Sequence, residues 1–505
     1  MAGNAVGLGN FLRFPVQAAS NGGGSFMITY FIALLLLGIP LMWIEWGIGR
    51  HGGRYRKGHI PGMFAAIWKH PAAKYVGVVG MVIPLVVMIY YTYIESWTLA
   101  FMWFSLTGDY WGRATQPEMA AYLASFQGVG DPAAAVHFPW TPYLFFVVTL
   151  VINIWIISKG ISGGIEKLAR IGMPILFIFA AILAGVVLML PAGPDGSTAA
   201  TGLNFIYNPD MSRLGEPSVW LASAGQIFFT LSVGMGSLQA YASYLKRTDD
   251  IALNGIATAA TNETAEVVLG GSIAIPAAVV FFGVSGAMAI AQSGSFNLGF
   301  ATMPVVFQQL PFGQLLGAMW FGLLFFAGIT SSVAMLTPII AFFREEFGWQ
   351  RETVCRWAGL VVFVFGLMHI AWLEHGFLDE WDYWGGTFGL VILAFLETVI
   401  FIWIFKPENA WRSIHEGADI RIPRVFKFVM TYITPVYLFI ILTWWGWTDA
   451  LPILRMERVT PGSENYVLLS RAIIVLFAIA FVVLIRVAWT RNGYDDRKGF
   501  VEVEQ

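Results

Sequence analysis

Charge and cysteine are what this sequence has least of. Lys, Arg, Asp and Glu together make up 12% of 505 residues and balance to a formal net charge of −2. Soluble domains carry roughly 25% charged residues, so a water-facing globular surface is excluded. The missing basic surplus excludes nucleic acid as a partner. Cys355 is the one cysteine, which rules out an intramolecular disulfide and a cysteine cluster for metal. The seven histidines form no H-x-x-x-H or H-E-x-x-H pair that would grip a catalytic zinc. There is no G-x-x-x-x-G-K-[ST] phosphate loop and no nucleophile-base constellation, so neither nucleotide hydrolysis nor another enzyme activity is expected.

Apolar runs fill the space that charge leaves. Hydrophobic residues are 57% of the chain, and the mean hydropathy is +0.68. A bilayer-crossing helix needs about 20 mainly apolar residues. Twelve such runs are read, at about 5–21, 24–48, 75–107, 141–158, 167–190, 218–245, 252–288, 314–343, 354–373, 383–405, 428–447 and 466–489. The fold class is therefore an all-α integral membrane protein with twelve transmembrane helices. Basic residues set the orientation. Arg50, Arg54, Arg56, Lys57, Lys69 and Lys74 follow the second run, and most later Lys and Arg, through Arg497 and Lys498, fall on the same side. That side is read as cytoplasmic, with the C-terminus. Because the first run starts almost at Met1, helix 1 reads as truncated at its cytoplasmic half, and about 15–20 upstream residues are expected to complete it.

Two interruptions stand out inside the apolar runs. Residues 5–10 read AVGLGN and residues 232–237 read SVGMGS, in the first and sixth spans. Gly-x-Gly weakens a helix, and in hydrocarbon an unwound stretch survives only where it lines a polar cavity or is buried in protein. One copy alone would read as close small-residue packing. A recurrence five spans later instead suggests a five-helix repeat, and an odd number of crossings inverts the second copy. Broken helices of inverted repeats are where transporters place substrate and ions.

The residues around these breaks resemble a known family. Residues 3–15, GNAVGLGNFLRFP, are similar to the first-helix signature of the neurotransmitter:sodium symporters. Supporting stretches are 83–87 IPLVV with Tyr90 and Tyr91, 226–232 QIFFTLS, 262–266 NETAE, 327–332 AGITSS and 379–382 DEWD. The resemblance implies a leucine-transporter-like fold with a 5+5 inverted repeat and broken helices 1 and 6. It implies one transporter domain over 1–505, made of repeats at 1–190 and 218–405, two accessory helices at 423–490 and a cytoplasmic tail at 491–505. It further implies a multi-pass protein of a prokaryotic cell membrane, and it allows a homodimer.

The same resemblance implies two sodium sites and no organic cofactor. One is formed by the Ala5 carbonyl with Asn10, Thr230 and Asn262; the other by carbonyls of Gly3, Val6 and Ala327 with the hydroxyls of Thr330 and Ser331. Independently, Ala327, Thr330 and Ser331 sit at i, i+3 and i+4 on one helical face. The implied substrate pocket takes in Asn4, Ala5, Gly7, Leu8, Gly9, Val87, Tyr91, Phe229, Thr230, Ser232, Met235, Ser331 and Met335. Arg13 and Asp382 are the implied outer gate over Phe229 and Tyr91, and Tyr244 and Glu345 are elements of the inner one. Glu266, four residues after Asn262, stands where chloride-dependent animal members carry a neutral residue, which implies a built-in substitute for chloride and a proton site. The expected activity is sodium-coupled symport of hydrophobic amino acids, independent of chloride. Rival expectations are a carrier of another small amine, and a substrate-gated channel or receptor of the same topology.

Overall fold

The computed structural model describes residues 2–130 and 140–502. Among these, all regular secondary structure is helical. Ten helical segments among the described residues are long and apolar enough to cross a membrane. Numbered in chain order with the two interrupted helices counted, they are α2 (Gly24–Gly53), α3 (Ala73–Thr107), α4 (Trp140–Ser158), α5 (Ile161–Leu188), α7 (Ile251–Gln292), α8 (Gly313–Phe347), α9 (Arg351–Ala371), α10 (Phe377–Ile404), α11 (Arg424–Leu454) and α12 (Glu464–Asn492). The interrupted ones are α1 and α6, where Gly-x-Gly occurs. In α1 the inner half Ala2–Ala5 ends at a bend over Val6 and Gly7, and helix resumes from residue 8 to Ser20. In α6 the halves are Pro217–Leu231 and Ser237–Ala242.

The α6 break is a left-handed kink. Ser232, Gly234 and Gly236 have φ of 54°, 74° and 83°, a region that glycine enters at little cost. A Cβ on Gly234 would also come within 2.1 Å of the Leu390 carbonyl. Ser232 has no such freedom, but its hydroxyl donates to the Asn4 carbonyl at 2.9 Å, and the Asn4 amide in turn donates to Ser237 at 3.1 Å. The α6 break thus supplies a partner for a backbone carbonyl at the α1 break, which is what an apolar surrounding demands.

Burial separates the centre of the bundle from its rim. The most apolar windows of α3 and α8 are each 94% buried, whereas that of α12 is 22% buried. Helices α3 and α8 pack along each other, and α5 packs on α8. On α4, Leu144, Val151 and Trp155 face outward, as do Val475, Ile479 and Val483 on α12, an apolar belt suited to lipid. The inner half of α6 is held to α2 at backbone distance: a Cβ on Gly49 or Gly53 would approach the Gln239 or Ser243 carbonyl to 2.3 or 2.2 Å.

One expected crossing needs correction. The run at 252–288 does not end as a straight helix, because Gly283 at φ 69°, ψ 172° turns the chain. The residues beyond it open a hairpin that continues through Met303–Gln308. The short helices Ile60–Ile67, Gln116–Gln127, Ala199–Tyr207 and Pro407–His415 lie between crossings, and hydropathy did not signal them.

Candidate functional site

The residues at the two breaks converge with α7 on a cluster of oxygens. Asn10 accepts from the Gly7 N–H at 2.7 Å, and its amide donates to Thr230 Oγ1 at 3.1 Å and Asn262 at 2.8 Å. In the opposite amide orientation, which gives up the bond from Asn10, the Asn262 nitrogen instead lies 3.2 Å from the carbonyl oxygens of both Ala5 and Thr230. Asn10 and Asn262 are fully buried and Thr230 nearly so. Carbonyl, hydroxyl and amide oxygens are what a hard cation takes as ligands. Glu266, also fully buried, accepts from the Thr230 hydroxyl, from Gln226 at 3.0 Å and from Tyr30 at 3.0 Å. The Tyr30 hydroxyl also lies 2.8 Å from Glu263. Having one proton, it donates to one of the two carboxylates at a time.

The second expected ion set is brought together by α8. Ser331 reaches across to α1, its hydroxyl 3.3 Å from the Val6 carbonyl and 3.2 Å from that of Asn4. A Cβ on Gly3 would stand 3.6 Å from Thr330. The Thr330 hydroxyl bonds its own helix, at 2.9 Å to the Phe326 carbonyl and 3.2 Å to that of Ala327. Of the two hydroxyls, only that of Ser331 therefore joins α8 to the break.

Beside the first cluster lies a cavity of about 320 Å³, walled in part by Leu8, Gly9, Arg13, Tyr91, Phe229 and Asp382. The Leu8 N–H donates to the Tyr91 hydroxyl at 3.2 Å. A Cβ on Gly7 would meet Ser331 Oγ at 3.0 Å and Tyr91 Oη at 3.3 Å, and one on Gly9 would strike the Phe229 ring at 2.5 Å. Val87, Met235 and Met335 are buried but are not among the lining residues, and neither is Ser232. Ser295 and Phe296, from the hairpin after α7, do line it. No sequence periodicity pointed to them, because a hairpin carries none.

Arg13 and Asp382 share this cavity without pairing: among the described residues Arg13 forms no salt bridge. Its guanidinium lies 4.7 Å over the Phe229 ring, while Asp382 accepts from the Tyr90 hydroxyl at 2.7 Å. In this conformation the two expected gate residues therefore stand apart, one in a cation–π contact and the other in a Tyr–Asp bond.

At the opposite, basic face, Tyr244 and Glu345 line a cavity of about 960 Å³. Glu345 takes the Gly58 N–H on both oxygens, at 3.0 and 2.8 Å. The closure that sequence reading missed is its neighbour. Glu346 receives Lys57 at 2.5 Å, His59 at 2.9 Å and Asn492 at 2.8 Å. Lys57 also meets the tail, 2.9 Å from the Tyr494 hydroxyl and 4.6 Å from the Phe500 ring. Burial holds the His59 imidazole below its ordinary range, against the pull of Glu346.

With this geometry in hand, the chain was compared with known proteins. A model described as the sodium:neurotransmitter symporter family matches residues 1–122 and 127–490. An uncharacterized sodium-dependent transporter of Methanocaldococcus jannaschii is 29% identical over 496 residues, 95% of this chain and 94% of that protein. Sodium-dependent nutrient amino acid transporter 1 of Drosophila melanogaster is 25% identical over 525 residues, 91% of this chain and 78% of that protein. The crystal structure of MhsT in complex with L-phenylalanine superposes with a TM-score of 0.75 at 26% identity, covering 88% of this chain and 96% of that one. A family match over nearly its whole length, on a bundle with ten long apolar helical segments among the described residues and a break at each Gly-x-Gly, means that this chain belongs to the sodium:neurotransmitter symporter family, whose members are sodium-dependent membrane transporters.

Proposed function

We propose that the chain is a symporter that uses sodium to carry hydrophobic, neutral amino acids by alternating access, without chloride. The observation that carries the reading is the buried chain from Asn10 and Asn262 through Thr230 to Glu266, an oxygen cluster with a carboxylate one hydrogen bond away. A first sodium would be held by the Ala5 carbonyl, Asn10, Thr230 and Asn262, and a second by Gly3, Val6, Ala327, Thr330 and Ser331. The substrate carboxylate would meet the backbone of Leu8 and Gly9 together with Tyr91, whose hydroxyl accepts from Leu8 and keeps its own hydrogen to donate. The amine would face carbonyls of Ala5, Phe229 and Thr230 and the Ser232 hydroxyl. The name of the Drosophila relative and the phenylalanine in the MhsT structure support an amino-acid substrate.

Unbranched Met235 and Met335 adapt to differently shaped side chains, which favours tolerance of bulky substrates. The basic face is cytoplasmic by the Lys and Arg distribution, and repeats 1–190 and 218–405 move against each other. Glu266 supplies the negative charge that offsets two sodium ions and accepts a proton for the return step. The test is uptake into proteoliposomes. The reading requires sodium-dependent, saturable uptake that is equal in chloride and gluconate, and chloride-stimulated uptake for Glu266→Ser. Loss of wild-type uptake on chloride removal refutes the role of Glu266, and uptake indifferent to sodium refutes the symport itself.

A further inference from the structure

Away from the transport site, the ends of α2, α10 and α11 enclose a second large cavity on the basic face, of about 1080 Å³. Its charge is one-sided. Arg54, Arg412, Arg421 and Arg424 line it against one acid, Glu416, which is spent on Arg54. Among the described residues, neither a salt bridge nor a hydrogen bond engages Arg412, Arg421 or Arg424. His415 does not add to the charge: its Nδ1 meets the Trp411 carbonyl at 2.8 Å, and its Nε2 accepts the Ile422 N–H at 3.2 Å, the bonding of a neutral ring. Three free guanidinium groups around one cavity are a donor set without an acceptor.

The surroundings narrow the class of acceptor. The cavity opens where crossing helices begin and end, at the level where a bilayer turns from hydrocarbon to headgroup. Beside it on α10 and α11 runs an exposed apolar strip of Trp403, Val425, Phe428 and Tyr432. Trp403 is fixed there by its indole N–H, which donates to the Thr431 carbonyl at 2.9 Å. Guanidinium forks match phosphate oxygens, and an adjoining apolar strip matches acyl chains. Basic pockets between helices at this level are suited to phospholipid headgroups.

We infer that this cavity is a binding site for a phosphate-bearing anion, occupied by the headgroup of an anionic phospholipid, with Arg412, Arg421 and Arg424 as its donors. The site is independent of the substrate cavity. It does touch the transport machinery indirectly, because Arg50, one turn before Arg54 on α2, is bonded to the Ser413 and Glu416 carbonyls, and α2 is packed on the inner half of α6. An occupant would brace α2 against α10 and α11.

The full chain, purified in detergent, is titrated with dioleoyl phosphatidylglycerol, with dioleoyl phosphatidylcholine and with inorganic phosphate. Binding is read by native mass spectrometry and by thermal unfolding. Saturable binding of phosphatidylglycerol, with the zwitterionic lipid much weaker, is expected, and each arginine removed should weaken it roughly fivefold. The variants are the single Arg424→Gln and the triple Arg412→Gln, Arg421→Gln, Arg424→Gln; these exposed, unpaired side chains can be removed without breaking a bond. Phosphate that binds as well as the lipid, and loses that binding in the triple variant, supports the anion site and assigns it a soluble source. Phosphatidylglycerol bound equally by wild type and triple variant overturns the proposal, as does equal binding of the two lipids with none of phosphate.

Discussion

At the Arg13 mouth one guanidinium lies over one ring and one tyrosine holds one aspartate; at the basic face a lysine, a histidine, two glutamates and the chain's own tail interlock. The first arrangement is local to a cavity that already reaches the substrate residues. The second bridges separate parts of the bundle. Lys57, Gly58 and His59 follow α2, which is packed on the inner half of α6, whereas Glu345 and Glu346 end α8, the helix of Ala327 and Ser331. Under the proposed alternating access, exposing the site on the basic face would part α2 and α6 from α8 and separate that buried ion pair. A cation–π contact is worth about 0.5–2 kcal/mol, and the Lys57–Glu346 pair is the more deeply buried of the two arrangements. On the proposed mechanism the Arg13 side is expected to open more readily.

Lys57→Met should do most to erase this asymmetry. It leaves Glu346, whose side chain is fully buried, without its lysine, at a cost of about 3–5 kcal/mol. A lower melting temperature is expected, together with faster maleimide labelling of Ser243→Cys, which lines the basic-face cavity, in a Cys355→Ala background. Unchanged labelling would mean that the ion pair does not hold this face closed.

Asn262→Ala tests the ground between the two mouths. It removes an amide from a fully buried cluster, and about 1–3 kcal/mol is the usual loss when a buried group is left unsatisfied. Half-maximal stabilisation of the protein by sodium should move to roughly ten- to hundredfold higher concentration. A sodium titration that superposes on the wild type would remove Asn262 from the ion site.

Arg13→Gln is a smaller perturbation, limited to a contact of about 0.5–2 kcal/mol. Dissociation of bound substrate toward the Arg13 side should speed up several-fold, with Arg13→Lys falling between the two. An unaltered off-rate would assign closure of this mouth to the hairpin residues Ser295 and Phe296 instead. The smallest effect on the site is expected from Met235→Phe, which adds only about one methylene's volume and a stiffer shape at one buried position. Binding competition between Leu and Trp reads it: the Trp preference should fall, and an unchanged ratio would show that Met235 does not set pocket size.

Legibility in the sequence followed the reach of local chemistry. Apolar run length was enough for the crossings apart from the end of the 252–288 run, and Gly-x-Gly was enough to place breaks at Val6–Gly7 and at 232–236, because backbone freedom and hydropathy are properties of a few adjacent residues. The shared face of Ala327, Thr330 and Ser331 followed from spacing alone. Whether a hydroxyl on that face turns inward or bonds its own helix did not, and the structure separates Ser331 from Thr330 on that point. Which side chain meets which across the bundle was beyond the sequence as well. Arg13 chose a ring over Asp382, Lys57 found Glu346 and Tyr494, and Arg54 came to share a cavity with Arg412, Arg421 and Arg424. Those choices depend on where helices remote in sequence are brought side by side and on which partner can reach a charge that water has left. Tertiary packing alone decided them.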